Sequence, residues 1–194
     1  MKYLNGIILS GGKSSRMGME KGLLKIAGKA LVEYAIDVLN PHVKRLIICS
    51  NKAEYNQFGL DVYSDLVRDI GPLGGIYTGL KYSDADCNIV LSCDMPFIDS
   101  QFIEYLKGSM RVGQTALVPT HDHKIEPLIS IYTSKMMIYM EEYIQHKSYA
   151  LQDILSNAEG VQFLDVSQQI KRNNKLFFNI NSPAEWKQFK QIIK

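Results

Sequence analysis

Two glycines and several cations follow the first apolar run of the chain. In the segment IILSGGKSSRMGMEKG, residues 7–22, a predicted strand ends at Gly11 and Gly12, and Arg16 and Lys21 come soon after. Glycine lets a backbone turn sharply and approach a ligand, and the N–H groups of such a turn can point at phosphate oxygens. Arg16 suits bidentate contact with a phosphate, whereas Lys21 supplies a compact positive charge. The pattern favours phosphate binding; a plain strand-to-helix turn with solvated cations is the alternative.

Acidic side chains follow two other apolar runs. Asp94 ends CNIVLSCD, and Asp65 ends LDVYSD. A carboxylate that faces a phosphate loop can hold Mg²⁺, with phosphates and water completing the octahedron. The alternative for Asp94 is to cap the next loop, and Asp65 could contact a sugar or base edge or only cap the segment LVRD. The glycines of GPLGG, residues 71–75, predict either close passage of backbone against a flat ligand or tight packing of a helix on a strand.

Apolar runs and helical patterns alternate through the first half of the chain. YLNGIILSG, KRLIICSN and CNIVLSC predict buried strands, and LVEYAIDVLNPH predicts a helix. Such alternation is typical of an α/β, Rossmann-like three-layer fold with a mostly parallel central sheet. These sheets bind ligands at the carboxyl ends of their strands, where the glycine loop, Asp65 and Asp94 all lie.

The second half of the sequence is less regular. Two predicted strands flank the turn HDHKIE, in which His121 and His123 predict an exposed polar turn rather than a metal site. Ser100 is the expected N-cap of a helix, and Ser182 that of the last helix, with Glu185 completing a capping box.

Composition limits the class of protein. The 194 residues suit one domain, residues 1–194, and a net charge of +2 argues against general nucleic-acid binding. Cys49, Cys87 and Cys93 show no CxxC spacing, so the sequence indicates neither a disulfide framework nor a zinc site. No apolar run is long enough for a membrane span. We therefore expect a cytoplasmic protein with no nucleic-acid or membrane partner.

Together, the motifs resemble a known family. LSGGKSSRMGMEKGLLKIAGKAL is similar to the signature of small nucleotidyltransferases, and GPLGGI, CDMPF and FFNINSPAEW narrow the resemblance to the molybdenum cofactor guanylyltransferases, the MobA family. The likeness runs from Gly6 to Trp186. Ala30 stands where the family usually has Pro, and Ser182 where it usually has Thr; both departures are mild. The first motif is shared with cytidylyltransferases, so it indicates the reaction more than the substrate.

The resemblance implies a reaction between GTP and molybdenum-carrying molybdopterin, with Mg²⁺ as cofactor and other molybdenum cofactor biosynthesis proteins as partners. The products would be a guanine dinucleotide cofactor and pyrophosphate. By motif, the residues implied to contact the nucleotide are Leu9, Ser10, Gly11, Gly12, Lys21, Asn51, Asp65, Gly74 and Asp94. Cys49 occupies an alternative alignment position for Asn51.

The resemblance also implies the more specific roles. Arg16 would stabilise the departing pyrophosphate, Lys21 would bind phosphate, and Asp94 would bind Mg²⁺. Asn179 and Asn181 match the family's NxN pair, which lies near the pterin.

The expected mechanism is in-line attack by the terminal phosphate of the pterin on the α-phosphorus of GTP. A phosphate dianion is already a nucleophile, so catalysis reduces to positioning and charge stabilisation. The residues alone leave three alternatives open. These are CTP in place of GTP, a sugar phosphate in place of the pterin, and a nucleotide-binding module of the same fold that does not catalyse.

Overall fold

The computed structural model describes residues 4–11 and 20–193. Within these ranges the strands are β1 Leu4–Leu9, β2 Lys25–Ile26, β3 Lys29–Ala30, β4 Leu46–Cys49, β5 Asp61–Tyr63, β6 Cys87–Ser92, β7 Ala116–His121, β8 Lys124–Ile125, β9 Ile129–Thr133 and β10 Val161–Asp165. The helices are α1 Leu31–Leu39, α2 Pro72–Tyr82, α3 Ser100–Ser109, α4 Met136–Gln145, α5 Leu151–Asn157, α6 Ser167–Arg172 and α7 Pro183–Ile192. Short 3₁₀ helices span Lys21–Leu23, Asn40–His42 and Ala53–Phe58.

One large sheet forms the centre of the molecule, with the strand order β10-β7-β9-β6-β1-β4-β5 and β8 beside β7. β1 lies between β4 and β6 and is parallel to both, whereas β9 runs antiparallel to β6 and β7. This confirms the predicted α/β fold with a mostly parallel sheet. The strand–turn–strand around HDHKIE is also confirmed, as β7 and its antiparallel partners β8 and β9.

Alternation along β1 divides the core into two layers. Ile8 packs with apolar residues of α1 and α3 on one face, and Ile7 and Leu9 pack with those of α2 and α4 on the other. Because both faces of the sheet are covered, the strands are apolar on both sides, which explains the continuous apolar runs in the sequence.

Gly79 lets α2 lie directly on β1. A Cβ added at Gly79 would fall closer than 3.0 Å to two carbon atoms of the buried Ile7. Overpacking of this kind costs about 1–3 kcal/mol, so we expect Gly79→Ala to lower the free energy of unfolding, measured by urea titration. Gly108 in α3 is the matched control, since an added Cβ there meets nothing within 4 Å. Gly108→Ala should be neutral or stabilising by up to about 1 kcal/mol, and equal losses in both variants would contradict the packing argument.

Helix caps show where local sequence rules succeed and fail. Ser182 caps α7, and its side-chain oxygen accepts the backbone N–H of Glu185, as predicted. The prediction of Ser100 as a cap is wrong, because the N-cap of α3 is Asp99, whose carboxylate accepts the N–H of Phe102. The Asp99 carboxylate also accepts two hydrogen bonds at 2.9 Å from Arg172 of α6. Ser100, the first residue of α3, has no carboxylate with which to replace these contacts.

A third, smaller apolar cluster attaches α7 to the rest of the molecule. The buried Phe189 of α7 packs with Leu31 and Ile180, and its ring lies edge-on to those of Tyr34 and Phe97. Residues 177–182, which precede α7, pass the carboxyl end of β6. The Ile180 N–H donates to the carbonyl oxygen of Asp94 at 3.0 Å, which ties this segment to the edge where the predicted site residues lie.

Candidate nucleotidyl-transfer site

Three parallel strands end level with one another at the edge of the sheet. In register, Leu9 at the end of β1 lies opposite Cys49 of β4 on one side and Ser92 of β6 on the other. A cavity of about 580 Å³ opens here, and Leu9, Gly11, Asn51 and Asp65 line it. Four predicted nucleotide contacts from separate parts of the sequence are thus brought together, at the position expected for a ligand of an α/β sheet.

Two of the other predicted residues, Ser10 and Gly74, are buried in the protein and do not line the cavity. Gly12 and Arg16 lie outside the described residues. Ser10 is fully buried beneath the cavity. Gly74 packs against the protein: an added Cβ would lie 2.8 Å from the carbonyl oxygen of Val67, whereas the next residue, Gly75, lines the cavity.

Lys21 is the cation at which distant segments meet. Its Nζ donates to Asp94 Oδ2 at 2.8 Å and to Asn181 Oδ1 at 2.9 Å. Only 18% of the Lys21 side chain and 14% of the Asp94 side chain are exposed, so this charge pair is shielded from water better than a surface ion pair. Lys21 therefore joins three segments of the chain: the 3₁₀ helix Lys21–Leu23, the turn after β6 and the segment before α7.

The Asp94 carboxylate is held on its other oxygen as well. Ser92 Oγ donates to Oδ1 at 2.6 Å, while Oδ2 contacts Lys21. Ser92 itself lines the cavity. Nothing in the sequence pattern singles out Ser92, because its contact with Asp94 depends on the turn that follows β6.

Asn51 and Asp65 form a reciprocal pair at the ends of β4 and β5. Asn51 Nδ2 donates to Asp65 Oδ2 at 2.8 Å, and the Asp65 N–H donates to Asn51 Oδ1 at 2.9 Å. Two hydrogen bonds in opposite directions fix the amide orientation and leave Asp65 Oδ1 as a further acceptor. Between Asn51 and Cys49, which also lines the cavity, Asn51 is the side chain that offers hydrogen-bonding groups to a ligand.

The start of α2 forms another wall of the cavity. Gly71 is the N-cap, with φ +64°, and Pro72 is at the first helical position; both line the cavity. Proline there removes an N–H that the helix could not use, and glycine adopts the left-handed turn without strain. The N-terminus of a helix carries partial positive charge, and that of α2 lies at the cavity wall.

Glu20 and Tyr55 are site residues that sequence reasoning missed. The fully buried Tyr55 donates its hydroxyl to Glu20 Oε1 at 2.8 Å, and Glu20 lines the cavity just before Lys21. Gly22 follows Lys21, and a Cβ there would overlap the hydroxyl oxygens of Tyr55 and Ser10. In the sequence, only the glycine at position 22, two residues after Glu20, hints that another side chain packs closely here.

The cysteines near the cavity are not nucleophiles. Burial, with a further contribution from the Asp94 charge, raises the pKa of the Cys93 thiol to about 12. Burial and the charge of Asp65 likewise raise the pKa of Cys49. Both remain thiols at neutral pH, and thiols are poor nucleophiles. Cys87 is also a free cysteine, as the spacing predicted.

The NxN segment divides between two environments. Asn181 contacts Lys21, and its N–H donates to Glu185 at 2.7 Å, which lowers the pKa of that carboxyl. Asn179 is half-buried two residues earlier.

His121 is less exposed than predicted, because its Nε2 lies 2.9 Å from Glu126 and its ring stacks on Phe177 at 4.7 Å.

Metal binding would depend on few protein ligands. Across residues 4–11 and 20–193, no group of three or more His, Cys, Asp or Glu side chains could hold an ion. Asp94 Oδ2 and Asn181 Oδ1 nevertheless already share one positive charge, that of Lys21. Hard oxygen donors of this kind fit Mg²⁺, which is commonly held by one or two carboxylates together with substrate phosphates.

Comparison with known proteins identifies the family of this chain. Residues 6–161 match the family model described as the MobA-like NTP transferase domain. The chain belongs to the MobA-like NTP transferase family. Asn181 lies beyond the residues that the family model matches, but full-length relatives extend the likeness.

A "Probable molybdenum cofactor guanylyltransferase" of Flavobacterium johnsoniae is 34% identical over 185 residues, which cover 95% of each chain. A "Molybdenum cofactor guanylyltransferase" of Yersinia pestis is 30% identical, again over 95% of each chain. Among solved structures, molybdopterin-guanine dinucleotide biosynthesis protein A from Archaeoglobus fulgidus superposes with a TM-score of 0.83, at 26% identity, over 97% of this chain and 98% of that one. The described part of this MobA-like chain contains no helix that is both long and apolar enough to cross a membrane.

Proposed function

We propose that this protein transfers GMP from GTP to the terminal phosphate of molybdenum-carrying molybdopterin, releasing pyrophosphate and forming a guanine dinucleotide cofactor. The observation that carries the reaction type is the convergence of Lys21, Asp94 and Asn181 beside a cavity at the strand ends. Relatives matched over nearly their whole length support the two substrates. With three free cysteines, the reducing cytoplasm is the compartment that we propose.

In the reaction, an oxygen of the pterin's terminal phosphate forms a bond to the α-phosphorus of GTP. The bond from that phosphorus to the oxygen bridging the β-phosphate breaks, and its electron pair leaves with pyrophosphate. The attacking phosphate needs no protein base, since it is already an anion with a second pKa near 6. The protein therefore has to align the two phosphates and offset the charge that builds on the leaving group.

The residues divide these tasks. The end of β1 and the start of α2 hold the nucleoside part, with Asn51 and Asp65 as the polar contacts. Lys21 supplies positive charge to the phosphates, and Asp94 would hold Mg²⁺ next to them. When bound, Mg²⁺ would act as a Lewis acid on phosphate oxygens. We assign Asn179 and Asn181 to the pterin, because they match the family's NxN pair and Asn181 contacts Lys21, the partner of Asp94.

Guanine is favoured by the relatives and is compatible with the cavity. Glu20, Asp65 and Asp69 line it with carboxylates, which only accept hydrogen bonds when ionised. The Watson–Crick edge of guanine offers two adjacent N–H donor groups, whereas that of cytosine offers one amino group. An acceptor-rich wall therefore suits guanine better than cytosine.

The test is to incubate the purified chain with Mg²⁺, molybdenum-loaded molybdopterin and GTP, CTP or ATP, and to detect the dinucleotide by mass spectrometry. We expect the guanine dinucleotide and an equal amount of pyrophosphate. Preference for CTP would overturn the choice of base. Tight GTP binding with no product, under conditions where a known guanylyltransferase reacts, would show a non-catalytic nucleotide-binding module instead.

Asn51 tests the nucleotide assignment separately from the chemistry. Asn51→Ala removes the amide that we assign to the nucleotide, together with its two hydrogen bonds to Asp65. One hydrogen bond to a ligand is worth about 1–1.5 kcal/mol, so we expect the Kd for GTP to rise about five- to tenfold. Isothermal titration without pterin measures this directly. Asn56→Ala is the matched control, because Asn56 is exposed on the 3₁₀ helix Ala53–Phe58. If the Kd of Asn51→Ala for GTP is unchanged, neither Asn51 nor Asp65 contacts the nucleotide.

A further inference from the structure

We propose that Ser92 is a positioning residue for Asp94, holding one carboxylate oxygen so that the other is presented to the cation of the reaction. This inference rests on the proposed function only for the identity of that cation. The Ser92 hydroxyl lies 2.6 Å from Asp94 Oδ1, and the opposite oxygen, Oδ2, is the one that contacts Lys21.

Ser92 can orient a neighbour because its own backbone is fixed on every side. Its N–H donates to the carbonyl of Leu128 at 2.8 Å, and its own carbonyl accepts the N–H of Met95. Between these two residues, the Cys93 N–H donates to the carbonyl of Leu9. The chain thus makes a tight turn from Ser92 to Met95, and the first two residues of this turn are bonded to Leu128, just before β9, and to Leu9 at the end of β1.

Asp94 lies within that turn. Its backbone carbonyl accepts a hydrogen bond from the Ile180 N–H, which fixes the position of this residue. What the backbone does not fix is rotation of the carboxylate plane, since the χ2 torsion of aspartate is broad and roughly two-fold. The hydroxyl of Ser92 removes this freedom. Ser92 is only 8% exposed, so water does not readily replace the hydroxyl as a donor.

The hydrogen bond has a consequence for the charge on Asp94. One oxygen is occupied by a neutral donor from the protein, so the carboxylate meets a cation mainly through Oδ2. That oxygen already accepts a hydrogen bond from the ammonium of Lys21, which also donates to Asn181 Oδ1. A group that orients a metal-binding carboxylate commonly contributes 10–100-fold to metal affinity or activity, although it never touches the metal.

The experiment measures Mn²⁺ binding in the presence of GTP, by the loss of the free Mn²⁺ signal in electron paramagnetic resonance. Ser92→Ala should raise the Kd for Mn²⁺ by about tenfold, and Ser92→Thr, which keeps the hydroxyl, should restore most of the affinity. In turnover assays, the Mg²⁺ concentration needed for half-maximal rate should rise in Ser92→Ala, with kcat largely recovered at high Mg²⁺.

Ser130→Ala is the matched control. Ser130 is a buried serine in the neighbouring strand β9, and its hydroxyl donates to the carbonyl of Glu126 rather than to a carboxylate. It should leave Mn²⁺ affinity unchanged even if it lowers stability. If Ser92→Ala does not fold, Ser92→Cys keeps the volume with a weaker donor and should show the same rise in Kd.

Two results would overturn the inference. One is wild-type Mn²⁺ affinity in folded Ser92→Ala or Ser92→Cys, and the other is an equal loss in Ser92→Thr. These outcomes are independent of the substrates. A wild-type protein that binds Mn²⁺ with GTP but forms no dinucleotide would contradict the proposed function and leave the role of Ser92 standing.

Discussion

Asp94→Asn should lower the rate of dinucleotide formation by about 10³-fold, because it removes the carboxylate charge at the centre of the site while keeping the side-chain shape. Loss of Lewis-acid stabilisation is worth several kcal/mol, and each 1.4 kcal/mol is a factor of ten in rate. The substitution also places an amide opposite Lys21, whose ammonium then has no counter-ion at 2.8 Å. Pyrophosphate release under saturating GTP and pterin measures the loss.

The same strand provides a control for Asp94. Asp86 is exposed just before the other end of β6, so Asp86→Asn changes the net charge equally without touching the cavity. We expect wild-type rates from Asp86→Asn. If Asp94→Asn keeps more than about one tenth of the wild-type rate in a folded protein, the metal role of Asp94 is wrong.

Lys21→Met should lower kcat by about 10²–10³-fold, because it removes a fixed positive charge from a site where negative charge develops on the leaving group. The methionine stem fills similar space but leaves Asp94 and Asn181 without their shared donor. Lys21→Arg should recover only part of the rate, since a planar guanidinium cannot replace a compact ammonium that contacts two oxygens at once. Rapid-quench assays with saturating substrates separate this loss from weaker binding.

Lys25→Met is the control for Lys21. Lys25 lies four residues further along, exposed in the short strand β2. It carries the same charge, so a general electrostatic effect would lower both rates alike. Only a loss confined to Lys21→Met supports a role of this ammonium in the reaction, and full activity in Lys21→Met would exclude it.

The sequence predicted the strand ends correctly because their signal is local. Continuous apolar runs define β1, β4 and β6, and the parallel arrangement then brings Leu9, Asn51 and Asp65 to one cavity. The contact of Lys21 with Asn181, 160 residues away, was not predicted, because the resemblance to a family assigned Lys21 to phosphate and Asn181 to the pterin. No periodicity or spacing could have supplied it.

What the sequence could not predict are hydrogen bonds between side chains of separate segments. Tyr55 reaches Glu20 across 35 positions, and Arg172 reaches Asp99 across 73. The second contact is part of the reason that Asp99 rather than Ser100 caps α3. Such pairs form only after the helices and strands have packed. The conformational preferences of each local segment therefore do not predict them.

The cluster around Phe189 has a consequence for the order in which the parts of the site form during folding. All the strands that the structure describes end by Asp165, so the sheet and its cavity are built without residues 179–192. Asn181 reaches Lys21 only once α7 has docked through Phe189 and Ile180. A chain in which α7 is undocked would therefore keep the nucleotide cavity but lack the contact between Lys21 and Asn181.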